Sequence, residues 1–157
     1  MPDMLVKLYA LPNWADLRDK LAQQSVDIRR AIAPEKHLVV SWVRQTFGEL
    51  WASETEVAFT NHPVSCYIAT HDKHILGFAC CDATCKNFFG PTGVAESERG
   101  RGIGKALLLA CLDAMCAQGY GYAIIGAAGP TAFYEKAVGA TVIEDSSPGI
   151  YRGMLWS

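Results

Sequence analysis

The stretch of this 157-residue chain that carries the most chemistry is Gly90-Pro91-Thr92-Gly93-Val94-Ala95-Glu96-Ser97-Glu98-Arg99-Gly100-Arg101-Gly102-Ile103-Gly104-Lys105-Ala106-Leu107. It passes from a strand-like run at 87–94 through a glycine and arginine loop into an apolar run at 103–118, which reads as a helix stopped by Gly119. The first amides of a helix have no partner within it and sit at the positive end of its dipole, so such a junction is an anion site. Glycines at 100, 102 and 104 remove side chains that would keep a phosphate off the backbone, and Arg99, Arg101 and Lys105 add positive charge beside them. The bland alternative is a glycine-rich turn with solvated cations. Alternating glycines at a helix start cost helix stability with no packing return in the sequence, which weighs against it. Two common phosphate motifs fail on these residues. A P-loop needs Gly where Arg99 stands and Ser or Thr where Ala106 stands, and a dinucleotide fingerprint begun at Gly100 and Gly102 finds Lys105 at its third glycine.

The run Arg99-Gly100-Arg101-Gly102-Ile103-Gly104 resembles the acyl-coenzyme A signature of the GNAT N-acetyltransferase superfamily, Q/R-x-x-G-x-G/A. Downstream, Phe133-Tyr134-Glu135-Lys136 followed by Gly139-Ala140 is similar to the family's F-Y-E-K-x-G-F segment. The resemblance covers about residues 26–145 in element order and 90–140 in sequence. It implies that the amides from Arg99 through Gly100, Arg101, Gly102, Ile103 and Gly104 to Lys105 hold the pyrophosphate of acetyl-coenzyme A, used as co-substrate. The pantetheine would lie along the preceding strand, with the backbone at Gly93 and Val94 orienting the thioester. Tyr134 matches the family tyrosine that protonates the departing thiolate, a role a neutral phenol can fill. Two positions depart from the pattern: Ala127 stands where the family often has Asn, and Ala140 where it has Phe.

Direct attack by an amine needs a base, because an ammonium has no lone pair. Glu54, Glu56 and Asp82 are the candidates, and the spacing does not choose among them; Glu96 and Glu98 belong to the anion loop. Cys80-Cys81 with Cys85, and His71 with His74, lack paired metal-ligand spacing, so no metal site is expected. An acyl-cysteine route through Cys81 or Cys85 has no base placed for it.

The elements that must position these residues follow from periodicity and punctuation. Strands are expected at 4–9, 26–29, 64–70, 75–81, 87–94, 120–125, 140–143 and 150–155, and helices at 14–24, from Pro34 through Trp51 with a break at Gly48, at 103–118 and at 130–138. Trp42, Phe47 and Trp51 fall at helical spacing and read as core. Pro91 cannot donate to a ladder and Gly90 and Gly93 suit a bulge, so neighbouring strands should part there. The expected fold is α/β (α+β): a GNAT-like, mixed but mostly antiparallel sheet with helices on both faces and a splayed central strand pair. Residues 1–157 read as one such domain, with 26–157 as the acetyltransferase core. Residues 1–25 are an added strand and helix, free to extend the sheet or to meet a second copy of the chain as a homodimer.

Composition narrows the class. The net charge of −2 argues against a nucleic-acid partner. No apolar run approaches the ~20 residues of a membrane span, and the start has no signal-peptide pattern, so no membrane partner and a cytoplasmic location are expected. The six cysteines read as reduced packing residues. The function expected is acetyl transfer from acetyl-coenzyme A to an amine of a small molecule or peptide in a ternary complex. The competing reading is a coenzyme-binding sensor or structural module without transfer chemistry.

Overall fold

In the computed structural model, which describes residues 1–155, helix α4 (Ile103–Ala117) is the pillar of the core. Its side chains are buried almost all round, including Leu107, Leu108, Leu109, Leu112 and Met115, as a helix without a polar face must be. It lies across a seven-stranded sheet of order β2-β3-β4-β5-β6-β1-β7. The strands are β1 (Met4–Lys7), β2 (Asp27–Arg30), β3 (Cys66–His71), β4 (His74–Cys81), β5 (Phe88–Val94), β6 (Tyr122–Ile125) and β7 (Thr141–Val142). Every neighbouring pair is antiparallel except β5 and β6, which are joined through α4 as a parallel crossover requires. The mixed, mostly antiparallel sheet is the one expected.

Helices α1 (Ala15–Gln23) and α5 (Thr131–Val138) join α4 in one core, with Trp14, Leu21, Val6, Ala137 and Val138. Helices α2 (Lys36–Phe47) and α3 (Glu49–Thr60) cover the other face through Val39, Val43, Ala52 and Phe59. Strand alternation explains the adjacent cysteines: Cys80 enters the α2/α3 core and Cys81 the α4 core. The hairpin between β3 and β4 turns on Asp72 and Lys73, both at positive φ. Gly48, at φ 106°, ends α2 and starts α3 at an angle that a side chain would resist.

One sequence expectation changes. The run at 150–155 forms no strand: Gly149–Tyr151 is a turn of 3-10 helix, and β1 fills the place beside β6 instead. Its partners Ile125 and Val142 lie on either side of Met4, so residues 1–25 are built into the sheet between β6 and β7. Pro148 and Gly149 favour a turn at the start of the C-terminal run. No helix among the described residues is long and apolar enough to cross a membrane.

Met4 is 1% exposed. Met4→Ala should cost roughly 2–5 kcal/mol in denaturant unfolding, a loss an appended segment would not cause.

Candidate active site

Strands β5 and β6 hold together through Phe88 with Ile124 and Phe89 with Ile125, and then part. β6 ends at Ile125, while β5 runs on to Val94 with its ladder to β4 only, Thr92 to Ala79, Gly93 to Phe78 and Val94 to Gly77. Residues 90–94 therefore present one edge that the sheet does not use. The parting falls at Gly90-Pro91, where the ladder to β4 also shifts register between Ala79 and Cys81. Gly90 has a φ of 122° and Pro91 has no amide proton, so neither continues a regular ladder. At Gly93 a Cβ would stand 2.4 Å from Cζ of Phe47, and only glycine lets that ring rest on the strand. Phe47 packs with Trp42 and Trp51, centroids 5.7 and 5.1 Å away, over buried Phe78. The three half-buried aromatics thus serve the core as expected, and they wall the fork on the α2/α3 face.

The free edge leads directly into the loop 95–102. Gly100 and Gly102 have φ of 82° and 86°, the left-handed region where glycine is cheap. Gly102 caps α4 without any side-chain hydrogen bond, and the first helical bond runs from the Ala106 amide to the Gly102 carbonyl, 3.0 Å. The amides of Ile103, Gly104 and Lys105 precede that bond and face outward. A Cβ on Gly104 would make only an ordinary 3.6 Å contact with Val94, so packing within the chain does not require glycine there. The three cations divide. Arg101 pairs with Glu98 and donates to Gln24 Oε1 at 3.0 Å, bracing the loop against the end of α1. Arg99 and Lys105 are exposed, and Arg99 Nε donates to the Val94 carbonyl at 3.4 Å.

Tyr134, 6% exposed, reaches from α5 to the fork, its ring centroid 6.4 Å from that of Phe89. Burial pushes its phenol up, so the hydroxyl keeps its proton at neutral pH. Ala127, in the turn between β6 and α5, has a φ of 46° and donates its amide to Asp3 Oδ1 at 2.8 Å, so the N-terminus fixes this turn.

The base candidates separate. Glu56 is exposed on α3. Asp82 spends its carboxylate on the β4–β5 turn, accepting from the Asn87 amide at 2.7 Å and the Tyr120 hydroxyl at 3.2 Å. Glu54 is half-buried, and burial pushes its carboxyl up against the counter-pull of Thr84, whose hydroxyl donates to Oε1 at 2.5 Å. The Cys85 thiol is held up by burial and by Asp3 and Asp82, an environment that weakens a nucleophile.

The family model described as "Acetyltransferase (GNAT) domain" matches residues 62–137, the span that holds the fork, the loop and Tyr134. Just under half of the chain is thus similar to GNAT acetyltransferase domains. Solved structures agree on the fold. The GCN5-related glucosamine N-acetyltransferase region of a fungal multi-domain GH3 β-N-acetylglucosaminidase is similar at TM-score 0.73 and 13% identity, over 90% of this chain and 19% of that one. A GCN5-related N-acetyltransferase from Sphaerobacter thermophilus follows at 0.69 and 21%, over 90% and 48%. A GNAT-family acetyltransferase from Colwellia psychrerythraea stands at 0.63 and 18%, over 90% and 52%. The chain thus spans at most about half the length of these structures. No curated protein matches it.

Two residues near the GNAT fork carry no readable signal in the sequence. Thr84 has none beyond its place in a turn. Tyr151 lies in an apolar run that reads as a strand; its hydroxyl stands 2.8 Å from where a Cβ on Gly126 would be.

Gly104→Ala should raise helix stability by about 0.5–1 kcal/mol in thermal unfolding.

Proposed function

We propose that this chain moves the acetyl group of acetyl-coenzyme A to an amine of a small molecule or peptide by direct attack within a ternary complex. The observation that carries the reading is continuity: the unused edge of β5 at residues 90–94 runs straight into the uncapped start of α4. An extended pantetheine can pair with the first as a strand would, and a pyrophosphate can accept from the second. Gly93 and Val94 orient the thioester, the amides of Gly100, Gly102, Ile103 and Gly104 hold the pyrophosphate, and Arg99 and Lys105 add charge. Arg101 serves by shaping the loop.

In the reaction the amine nitrogen attacks the thioester carbonyl, a C–N bond forms and the C–S bond breaks. The coenzyme sulfur leaves as thiol after taking the Tyr134 proton, and a carboxylate takes the proton from nitrogen. Of Glu54, Glu56 and Asp82, Glu54 is the best placed, being the one that is half-buried and not engaged in a turn. A carboxyl raised by burial stays a competent base at neutral pH and loses activity as pH falls through its pKa. The rate should therefore decline on the acid side.

Thermal shift should show stabilisation by acetyl-coenzyme A and by free coenzyme A, with ATP and NAD giving little. The reverse pattern would defeat the proposal. Thiol release over a panel of amines separates an enzyme from a sensor, which would bind without turnover. Tyr134→Phe should lower turnover about 100-fold with coenzyme binding kept, and unchanged turnover would remove Tyr134 as the acid.

A further inference from the structure

We propose that Thr84 and Tyr151 are positioning residues for the Glu54 carboxylate, so that the C-terminal turn completes the base assembly at the closed end of the fork. What the base does rests on the acetyl-transfer reading above; the contact itself does not.

Three separate parts of the chain meet here: Glu54 from α3, Thr84 from the turn between β4 and β5, and Tyr151 from the 3-10 turn that stands in place of the expected last strand. Thr84 Oγ1 donates to Glu54 Oε1 at 2.5 Å. A hydroxyl has one proton and two acceptor sites, so with its proton on Glu54 the oxygen of Thr84 is free to accept. The Tyr151 phenol faces both Thr84 and the Glu54 charge. Its seat is built into the backbone: a Cβ on Gly126, the first residue beyond β6, would stand 2.8 Å from the Tyr151 hydroxyl and 2.8 Å from the Phe88 ring. Glycine at 126 is what allows a phenol to lie at the point where β5 and β6 part.

The groups around the carboxylate are accounted for. Burial raises it, Thr84 lowers it, and no cation contributes. Burial foremost, then the charges of Glu54, Asp3 and Cys85, push the phenol up against the opposing pull of Thr84, so it stays protonated and able to donate. With Tyr151 as donor to the free acceptor site of Thr84, the hydroxyls would point one way and end on Glu54. Removing the Thr84 hydroxyl withdraws direct support from the charged carboxylate and raises its pKa further, and removing the Tyr151 hydroxyl would act on it through Thr84. Less of the protein is then in the base form at neutral pH.

The test uses the full chain labelled with carbon-13 at its glutamate side-chain carboxyls and titrated by NMR. The resonance lost in Glu54→Gln identifies the group. Its midpoint should lie above that of ordinary glutamates, move to higher pH in Thr84→Val and in Tyr151→Phe, and return in Thr84→Ser, which keeps the donor. The acidic limb of the pH profile for amine acetylation should move in the same direction, with KM for acetyl-coenzyme A unchanged. Midpoints that stay put in both folded variants overturn the proposal, and a shift in Thr84→Val alone removes Tyr151 from it. If the midpoints move but the coenzyme-bound protein acetylates no amine, the transferase reading fails and the positioning role stands. If amines are acetylated and the midpoints stay put, the positioning role fails and the transferase reading stands.

Discussion

Two parallel strands that pair for two residues and then part set up everything else in this domain. A strand edge left unpaired beside a core is costly, because each buried amide and carbonyl needs a partner. Here the cost is contained by the sequence of the edge itself. Pro91 offers no amide, Gly90 turns the ladder aside, and Phe47 shields the strand across Gly93. The fork can stay open because the sheet on either side of it is closed tightly, by β4 on one flank and by β1 inserted against β6 on the other.

That insertion links the N-terminus to the chemistry. β1 lies between β6 and β7, and just before it Asp3 receives the Ala127 amide from the turn that leads to α5 and Tyr134. The N-terminal segment is thus a brace for the helix that carries the candidate acid. The C-terminal run folds as a turn against Gly126, which brings Tyr151 to the fork.

Electrostatics follows the same economy. The net charge of the chain is −2, and the anion-facing loop gains its character from oriented amides more than from side chains. Arg101 is committed to Glu98 and Gln24, which leaves Arg99 and Lys105 as the exposed cations beside the glycines.

Much of the site is legible in the sequence because its signals are local. The alternating glycines at 100, 102 and 104 before an apolar helix, the proline and glycines of β5, and the Phe133-Tyr134-Glu135-Lys136 segment each owe their meaning to backbone conformation or spacing within a few residues. The helix break at Gly48 and the turn at Asp72-Lys73 are of the same kind. The sequence alone thus determined the mixed sheet and nominated the loop at 99–105 and Tyr134 as candidates. Choosing Glu54 over Glu56 and Asp82 needed tertiary structure, since burial and a partner at Thr84 distinguish carboxylates whose local sequences look alike. The same holds for β1, whose four residues could pair with any open edge, and for Tyr151, whose run suits a strand by residue type yet forms a turn. Strand pairing between distant segments is a competition for edges, and its outcome is a property of the assembled sheet, absent from any one stretch of residues.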